Sequence, residues 1–260
     1  GKYLEYAMVG EGLRGAGQGL KLWPDASKLH NKRALHWRNF LRKFGYNEGT
    51  VMQVYPMAQG FNGGILLHDD LNTDIEGLFA CGESSGGLHG PDRMGGLCIL
   101  ATQVFGKGAG QKAADYAHKN ASDFLTREEA ARTLYNEFCE REESDLSPQQ
   151  VLARIRRIMQ ENACLRRNEK GLEGALLSVE RLALQPLEHL DQPDTAAYFQ
   201  VANGLDASRL ILMAMRNRKE SRGSHDRSDY PGHDPELAAM RWVSMKDGRI
   251  THGSLSTPAE

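Results

Sequence analysis

Apolar positions recur at helical spacing in two parts of the chain, and short apolar runs lie between them. In SKLHNKRALHWRNFLRKFG (27–45), Leu29, Leu35, Trp37, Phe40, Leu41 and Phe44 supply a buried face, and Gly45 gives a stop. That pattern predicts a helix. From 51 to 83 the period shortens. VMQVYPM, GGILLHDD and GLFACGE each read as a strand, the last running into a glycine-rich loop. Residues 97–119 return to a helical pattern, interrupted by Gly106, Gly108 and Gly110. Glycine costs about 1 kcal/mol in an isolated helix, so this helix is expected to pack closely against a sheet or a ligand. Four more helices are predicted at 126–143, 147–168, 169–190 and 194–219, forming an antiparallel bundle. Ser147 is placed to cap the second of these, with Pro148 at its first position. From Glu220 onward the sequence is polar, turn-rich and dense in His, Arg and Asp.

Charge narrows the partners. The 260 residues carry 32 basic and 34 acidic side chains, a net −2, so nothing points to nucleic acid or to an anionic membrane surface. No stretch approaches the ~18 apolar residues of a membrane span. The four cysteines, Cys81, Cys98, Cys139 and Cys164, form no C-x-x-C and no iron–sulfur spacing. They read as reduced thiols of a cytoplasmic protein.

The chemistry gathers in GLFACGESSGGLHGPDRMGG (77–96), which has seven glycines in twenty positions. A strand, a glycine-rich turn and a helix start make a place for an anion or a flat cofactor, because free backbone N–H groups and the helix dipole favour negative charge there. Glu83 suits hydrogen bonds to sugar or polyol hydroxyls. Arg93 offers a fork for a carboxylate or phosphate. A plain turn accounts for the same glycines, a turn histidine for His89, and an ion pair with Asp92 or a loop carbonyl for Arg93.

Five segments resemble, in order, the flavoprotein subunit family of succinate dehydrogenase and fumarate reductase, to which L-aspartate oxidase is related. They are EGLRGAGQG (11–19), VYPMAQGFNGGI (54–65), the glycine-rich stretch with the VFGKGAG that follows it, NACLRRNEKGLEGAL (162–176) and KESRGSHDRSDYP (219–231). The resemblance implies an α/β plus all-α architecture. Residues 1–50 would be a capping-domain remnant and 51–122 the C-terminal portion of a Rossmann-like FAD-binding domain. Residues 123–219 would be the helical bundle and 220–260 a polar tail. It implies FAD as cofactor, near Gly63, Gly64, Gly82, Glu83, Arg93, Gly96, Cys98 and Ile99. It implies catalytic positions at Arg93, His89 and Gln59, with Arg93 gripping a substrate carboxylate beside flavin N5. Glu220, Arg222, His225, Arg227 and Asp229 would form a structural ion-pair corner.

The chain departs from the family pattern at several points. Gln59 stands where the family has a substrate-binding histidine, Gly60 replaces an aromatic, and Leu97-Cys98 replaces Asn-Ser. The N-terminal segment carrying the family's G-x-G-x-x-G for the FAD pyrophosphate has no counterpart. The glycines of 11–19 are not preceded by a strand and match the capping loop instead. The family's proton-donating arginine also has no clear counterpart. The expected function is therefore an FAD-dependent oxidoreductase acting on a small carboxylate, inactive as these residues alone. It would be completed by an N-terminal FAD-binding segment and served by an iron–sulfur or other electron-transfer subunit. The alternative is a non-catalytic helical assembly module derived from that family.

Overall fold

The computed structural model describes residues 20–22, 32–46, 52–54, 60–120, 146–185, 195–246 and 249–254. The chain divides into two compact units, Gly1–Gln59 and Gly60–Glu260. In the first, strands β1 (Leu20–Leu22) and β2 (Met52–Val54) pair antiparallel, with Leu20 opposite Val54. Helix α1 (Lys32–Lys43) ends with basic residues Arg42 and Lys43 in its last turn, where they complement the helix dipole. Gly45 follows at φ +81°. Two residues of the expected buried face behave otherwise: Phe40 and Phe44 are exposed. Four positions apart on one face, they cover each other instead, ring centroids 4.8 Å apart. The capping loop at 11–19, Gln59 and the expected helix at 126–143 lie outside the described residues.

The second unit corrects two expected strands. GGILLHDD and GLFACGE form no ladder among the described residues; one parallel bridge joins Ile65 to Ser85. The apolar run 78–81 packs on helix α2 (Leu97–Lys119) instead. Ala80 is buried, Phe79 meets Tyr116 edge-on at 6.1 Å, and a Cβ at Gly106 would stand 3.9 Å from Cys81 Sγ. A Cβ at Gly108 would meet Leu71 at 2.6 Å. The glycines of α2 thus admit neighbouring loops, and Gly110 faces open space. The run then turns through a 3-10 segment at Gly82–Ser84.

Helices α3 (Pro148–Asn162), α4 (Glu169–Ala183) and α5 (Thr195–Asn217) pack on one another. Val151 and Ile155 of α3, Leu172, Ala175 and Val179 of α4, and Val201, Leu205 and Leu212 of α5 share one core. Their spacings of three, four and seven place each set on one helix face. Burying each Leu or Val contributes roughly 1.5–3 kcal/mol. Ser147 caps α3 in a reciprocal box: its Oγ accepts from Gln150 N–H, and Gln150 Oε1 accepts from Ser147 N–H. Asn168 caps α4 by accepting from Gly171 N–H at 2.8 Å. The two-residue strands β3 (Arg166–Arg167) and β4 (Asp226–Arg227) pair in parallel. Strands β5 (Arg241–Lys246) and β6 (Arg249–Ser254) form a hairpin whose first strand packs on α5. The tail, expected to be polar and turn-rich, also contains a hairpin. Six-residue runs flank Asp247-Gly248 in the sequence, a hairpin signal that the density of charge conceals.

Candidate flavin-facing site

Two segments lie side by side at the site. Ile65 N–H donates to Ser84 O at 2.8 Å, and Gly86 N–H donates to Ile65 O at 2.9 Å. Beside this bridge, Phe61 N–H donates to Glu83 Oε1 at 2.9 Å. The stretch carrying Gly63 and Gly64 thereby abuts the one carrying Gly82 and Glu83. A Cβ at Gly64 would stand 2.6 Å from Ser84 O, and one at Gly86 would stand 2.9 Å from Gly64 O. Gly82 faces Thr102 of α2, and Gly87 faces Met240. These glycines let protein backbone approach protein. Gly63, Gly90, Gly95 and Gly96 have nothing within 4 Å of an added Cβ. The glycines of the region thus divide into packed and open sets.

The open set leads into the start of α2. Gly96 is its N-cap, at φ +93°, a left-handed conformation that disfavours other residues, and it makes no side-chain cap bond. The first-turn N–H groups, those of Cys98 and Ile99 among them, have no intrahelical partner by the geometry of any helix start. The surface around them is apolar and uncovered: Met94 is 71% exposed and Ile99 69%, with Leu97 and Leu100 also exposed. Cys98 is exposed beside them. The Cys98 and Ile99 N–H donors, the open glycines, the exposed apolar side chains and the second oxygen of Glu83 as an acceptor are groups that fit an isoalloxazine ring and its sugar chain.

Arg93 is half-buried, and among the described residues it makes one long hydrogen bond, 3.4 Å from Nη1 to Met94 O. No carboxylate pairs with it among the described residues, Asp92 included. His89 is half-buried. No hydrogen bond or ion pair joins His89 or Arg93 to Glu83 among the described residues.

The corner at 218–234 carries the densest electrostatics. Glu220 is fully buried. It accepts from Arg222 Nε (2.9 Å) and Nη2 (2.8 Å), from Asp234 N–H (2.9 Å) and from Arg218 Nη1 (2.5 Å). Burial alone would raise its pKa, but these donors win and hold it down to about 2. Arg227 is also fully buried, and each of its five N–H groups finds an acceptor. Two go to Asp229 (both 2.8 Å), one to Glu169 (3.0 Å), and two to the carbonyls of Met215 and Arg216 at the end of α5. Tyr230 covers the guanidinium at 5.0 Å. Asp229 in turn accepts from Glu169 N–H at 2.7 Å. Its hydrogen bonds from Arg227 hold its carboxyl well below the usual range. His225 Nδ1 lies 3.0 Å from Arg167 Nη1, and Nε2 lies 3.0 Å from Arg218 O. Arginine can only donate, so Nδ1 accepts and Nε2 carries the proton. Burial is the main cause that depresses His225 to about 4, aided by the neighbouring arginines. The corner is an ion-pair network, as the family resemblance implied.

Comparison with known proteins fits this geometry. Residues 25–99 match the model described as FAD binding domain, and residues 152–252 match that described as fumarate reductase flavoprotein C-term. These matches define the class: a fumarate reductase-type flavoprotein. An uncharacterised FAD-dependent oxidoreductase of Methanocaldococcus jannaschii is 32% identical over 233 residues, 87% of this chain and 42% of the relative. A fumarate reductase (CoM/CoB) subunit of Methanothermobacter marburgensis is 33% identical over 197 residues, 71% of this chain and 35% of the relative. Sdh1 of Mycobacterium smegmatis, solved in complex with UQ1, superposes with a TM-score of 0.79 at 24% identity, covering 100% of this chain and 47% of its own. The chain belongs to the flavoprotein subunit family of fumarate reductase and succinate dehydrogenase, to which L-aspartate oxidase is related. It spans less than half the length of the relatives described here. No helix among the described residues is long and apolar enough to cross a membrane.

Proposed function

We propose that this chain carries the substrate-facing part of a flavin site in an FAD-dependent oxidoreductase that acts on a carboxylate-type substrate. The observation that supports this best is the start of α2, where open glycines, uncapped N–H groups and exposed apolar side chains coincide. FAD, when bound, supplies the hydride donor or acceptor at flavin N5. The protein's own residues bind and orient. The first-turn N–H groups of α2 stabilise partial negative charge on the ring side. Glu83 keeps one oxygen on Phe61 N–H and offers the other to sugar-chain hydroxyls. Arg93 grips a substrate carboxylate with its fork and so orients the carbon to be reduced or oxidised. His89 stands four residues before it on the same loop. Gln59, with an amide in place of an imidazole, carries no positive charge, so the attraction for a carboxylate is assigned to Arg93.

A nucleotide-binding segment outside these 260 residues supplies the grip on the pyrophosphate, and these residues alone neither turn over nor hold FAD tightly. Electrons pass to or from a separate subunit, of iron–sulfur or other type; relatives named as subunits favour that division of labour. The test is titration of malonate, fumarate and monocarboxylates into the FAD-loaded holoprotein that contains this chain, read by flavin absorption. Arg93→Ala is expected to weaken the productive carboxylate by roughly 100-fold, the worth of a charge-assisted pair. Unchanged affinity in Arg93→Ala would overturn the assignment.

A further inference from the structure

The hydroxyl of Ser224 stands where three distant segments meet. Asn62 Nδ2 donates to Ser224 Oγ at 3.2 Å, and Ser224 Oγ donates to Pro91 O at 3.2 Å. Ser224 N–H also donates to Pro91 O, again at 3.2 Å. A hydroxyl has one proton and can accept as well as give, so Ser224 Oγ links the two segments in one relay. Next to it, Gly223 sits at φ +58° with the Pro91 carbonyl directly against its backbone, where no Cβ fits. Gly223 permits the approach and Ser224 bonds across it.

We propose that Ser224 is a positioning residue for the carboxylate end of the site: it ties the loop arm that bears His89 and Arg93 to the segment that bears Asn62. Arg93 follows Pro91 by two residues, and Asn62 precedes the open Gly63. The proposal rests on the reading of Arg93 given above.

The abutment behind Ser224 is rigid. Arg222 N–H donates to His225 O at 2.8 Å and His225 N–H donates back to Arg222 O at 3.0 Å, closing a tight turn around Gly223 and Ser224. Arg222 is forked onto the buried Glu220, and His225 is held between Arg167 and the Arg218 carbonyl. A second contact from the same C-terminal region, Met240 against Gly87, supports the near end of the same arm. The buried ion network thus has a use beyond stability: it gives a flexible, glycine-rich arm a fixed point. Without it, the many conformations open to an arm with glycines at 86, 87, 90, 95 and 96 would compete with the one that presents Arg93.

The experiment uses the FAD-loaded holoprotein with Ser224→Ala, Ser224→Thr and Asn62→Ala. Hydrogen–deuterium exchange is read on peptides covering 87–95 and on those of α3 to α5. Malonate affinity is read by flavin absorption. Ser224→Ala is expected to speed exchange across 87–95 by about 10-fold and to weaken malonate by about the same factor, the scale of one lost hydrogen bond. Helix exchange, FAD content and melting temperature stay as in the wild type. Asn62→Ala gives a smaller effect in the same places, and Ser224→Thr, which keeps the hydroxyl, restores both. Unchanged exchange at 87–95 would overturn the tether, and faster exchange throughout the helices would mark a merely structural residue. A loosened arm with unchanged malonate affinity would overturn the positioning role. A wild-type holoprotein that ignores malonate and other carboxylates would overturn the functional reading and the positioning role with it, while the exchange data would still decide the tether.

Discussion

Arg227 and Glu169 meet at 3.0 Å across 58 residues of sequence, the arginine wholly buried and the glutamate at the first position of α4. The contact joins the start of one helix to the end of another, because the same guanidinium also takes the Met215 and Arg216 carbonyls that close α5. Helix ends leave carbonyls without intrahelical partners, and here one side chain satisfies two of them. It also brings β4 against β3, from which α4 begins two residues later.

Removing Arg227 takes both guanidinium bonds from Asp229, one of two arginine partners from Glu169, which keeps Arg216, and the side-chain donor from the Met215 and Arg216 carbonyls. Arg227→Met is therefore expected to cost about 2–3 kcal/mol, the scale of losing hydrogen bonds to charged groups that stay partly exposed. Arg227→Lys should recover little, since a three-donor point charge cannot meet five acceptors in a plane. Urea denaturation followed by helical circular dichroism reads both. A loss below ~1 kcal/mol for Arg227→Met would contradict the network's role.

Acid should unfold the protein in two stages. His225 is depressed from 6.5 to about 4, so the fold favours its neutral form. The stability it contributes is complete above pH 6.5 and is lost as pH falls towards 4, because the unfolded chain takes the proton first. Glu220 is depressed from 4.5 to about 2, and Glu169 and Asp229 are lowered by their arginines. Their contribution is complete above the ordinary carboxylate range and is lost as pH falls from 4.5 towards 2. Melting temperatures across this range should show both steps, and His225→Gln should flatten the upper one alone. A wild-type curve that stays level from pH 6.5 to 4 would contradict the buried neutral histidine.

The local features of the fold were legible in the sequence, and the non-local ones were not. Helix α2 begins at Leu97 and ends at Lys119 as its pattern indicates, and Ser147-Pro148 opens α3 as expected. Propensity and capping act within a few residues, so they leave a local trace. The expected strands at 63–70 and 77–83 failed because an apolar run does not say whether a strand or a helix will cover it, and α2 covers Phe79 and Ala80. Gly223 against Pro91 and β3 beside β4 join residues 60 or more apart, which no periodicity encodes. At the site, the glycine-rich loop stood out in the sequence, but which glycines face protein and which face open space did not.

That division is testable by adding one methyl group. Gly64→Ala puts a Cβ 2.6 Å from the Ser84 carbonyl and is expected to cost at least ~2 kcal/mol through a forced backbone shift. Gly63→Ala and Gly95→Ala meet nothing within 4 Å and should leave stability within ~0.5 kcal/mol. If the open glycines serve close approach of a flavin, these two variants should nonetheless lose FAD from the holoprotein. Equal stability losses at Gly63, Gly64 and Gly95 would contradict the division into packed and open sets.

The central claim is that this chain holds one part of a flavin site whose other part lies on a nucleotide-binding segment. The most direct measurement is the visible absorption spectrum of FAD titrated with the 260-residue chain, first alone and then with that segment joined to it. An almost unperturbed flavin is expected with the chain alone, and a shifted, stoichiometrically bound flavin with the joined protein, weakened by Gly95→Ala. A flavin that stays free in the joined protein, or one bound equally well whether or not Gly95 is replaced, would contradict that claim.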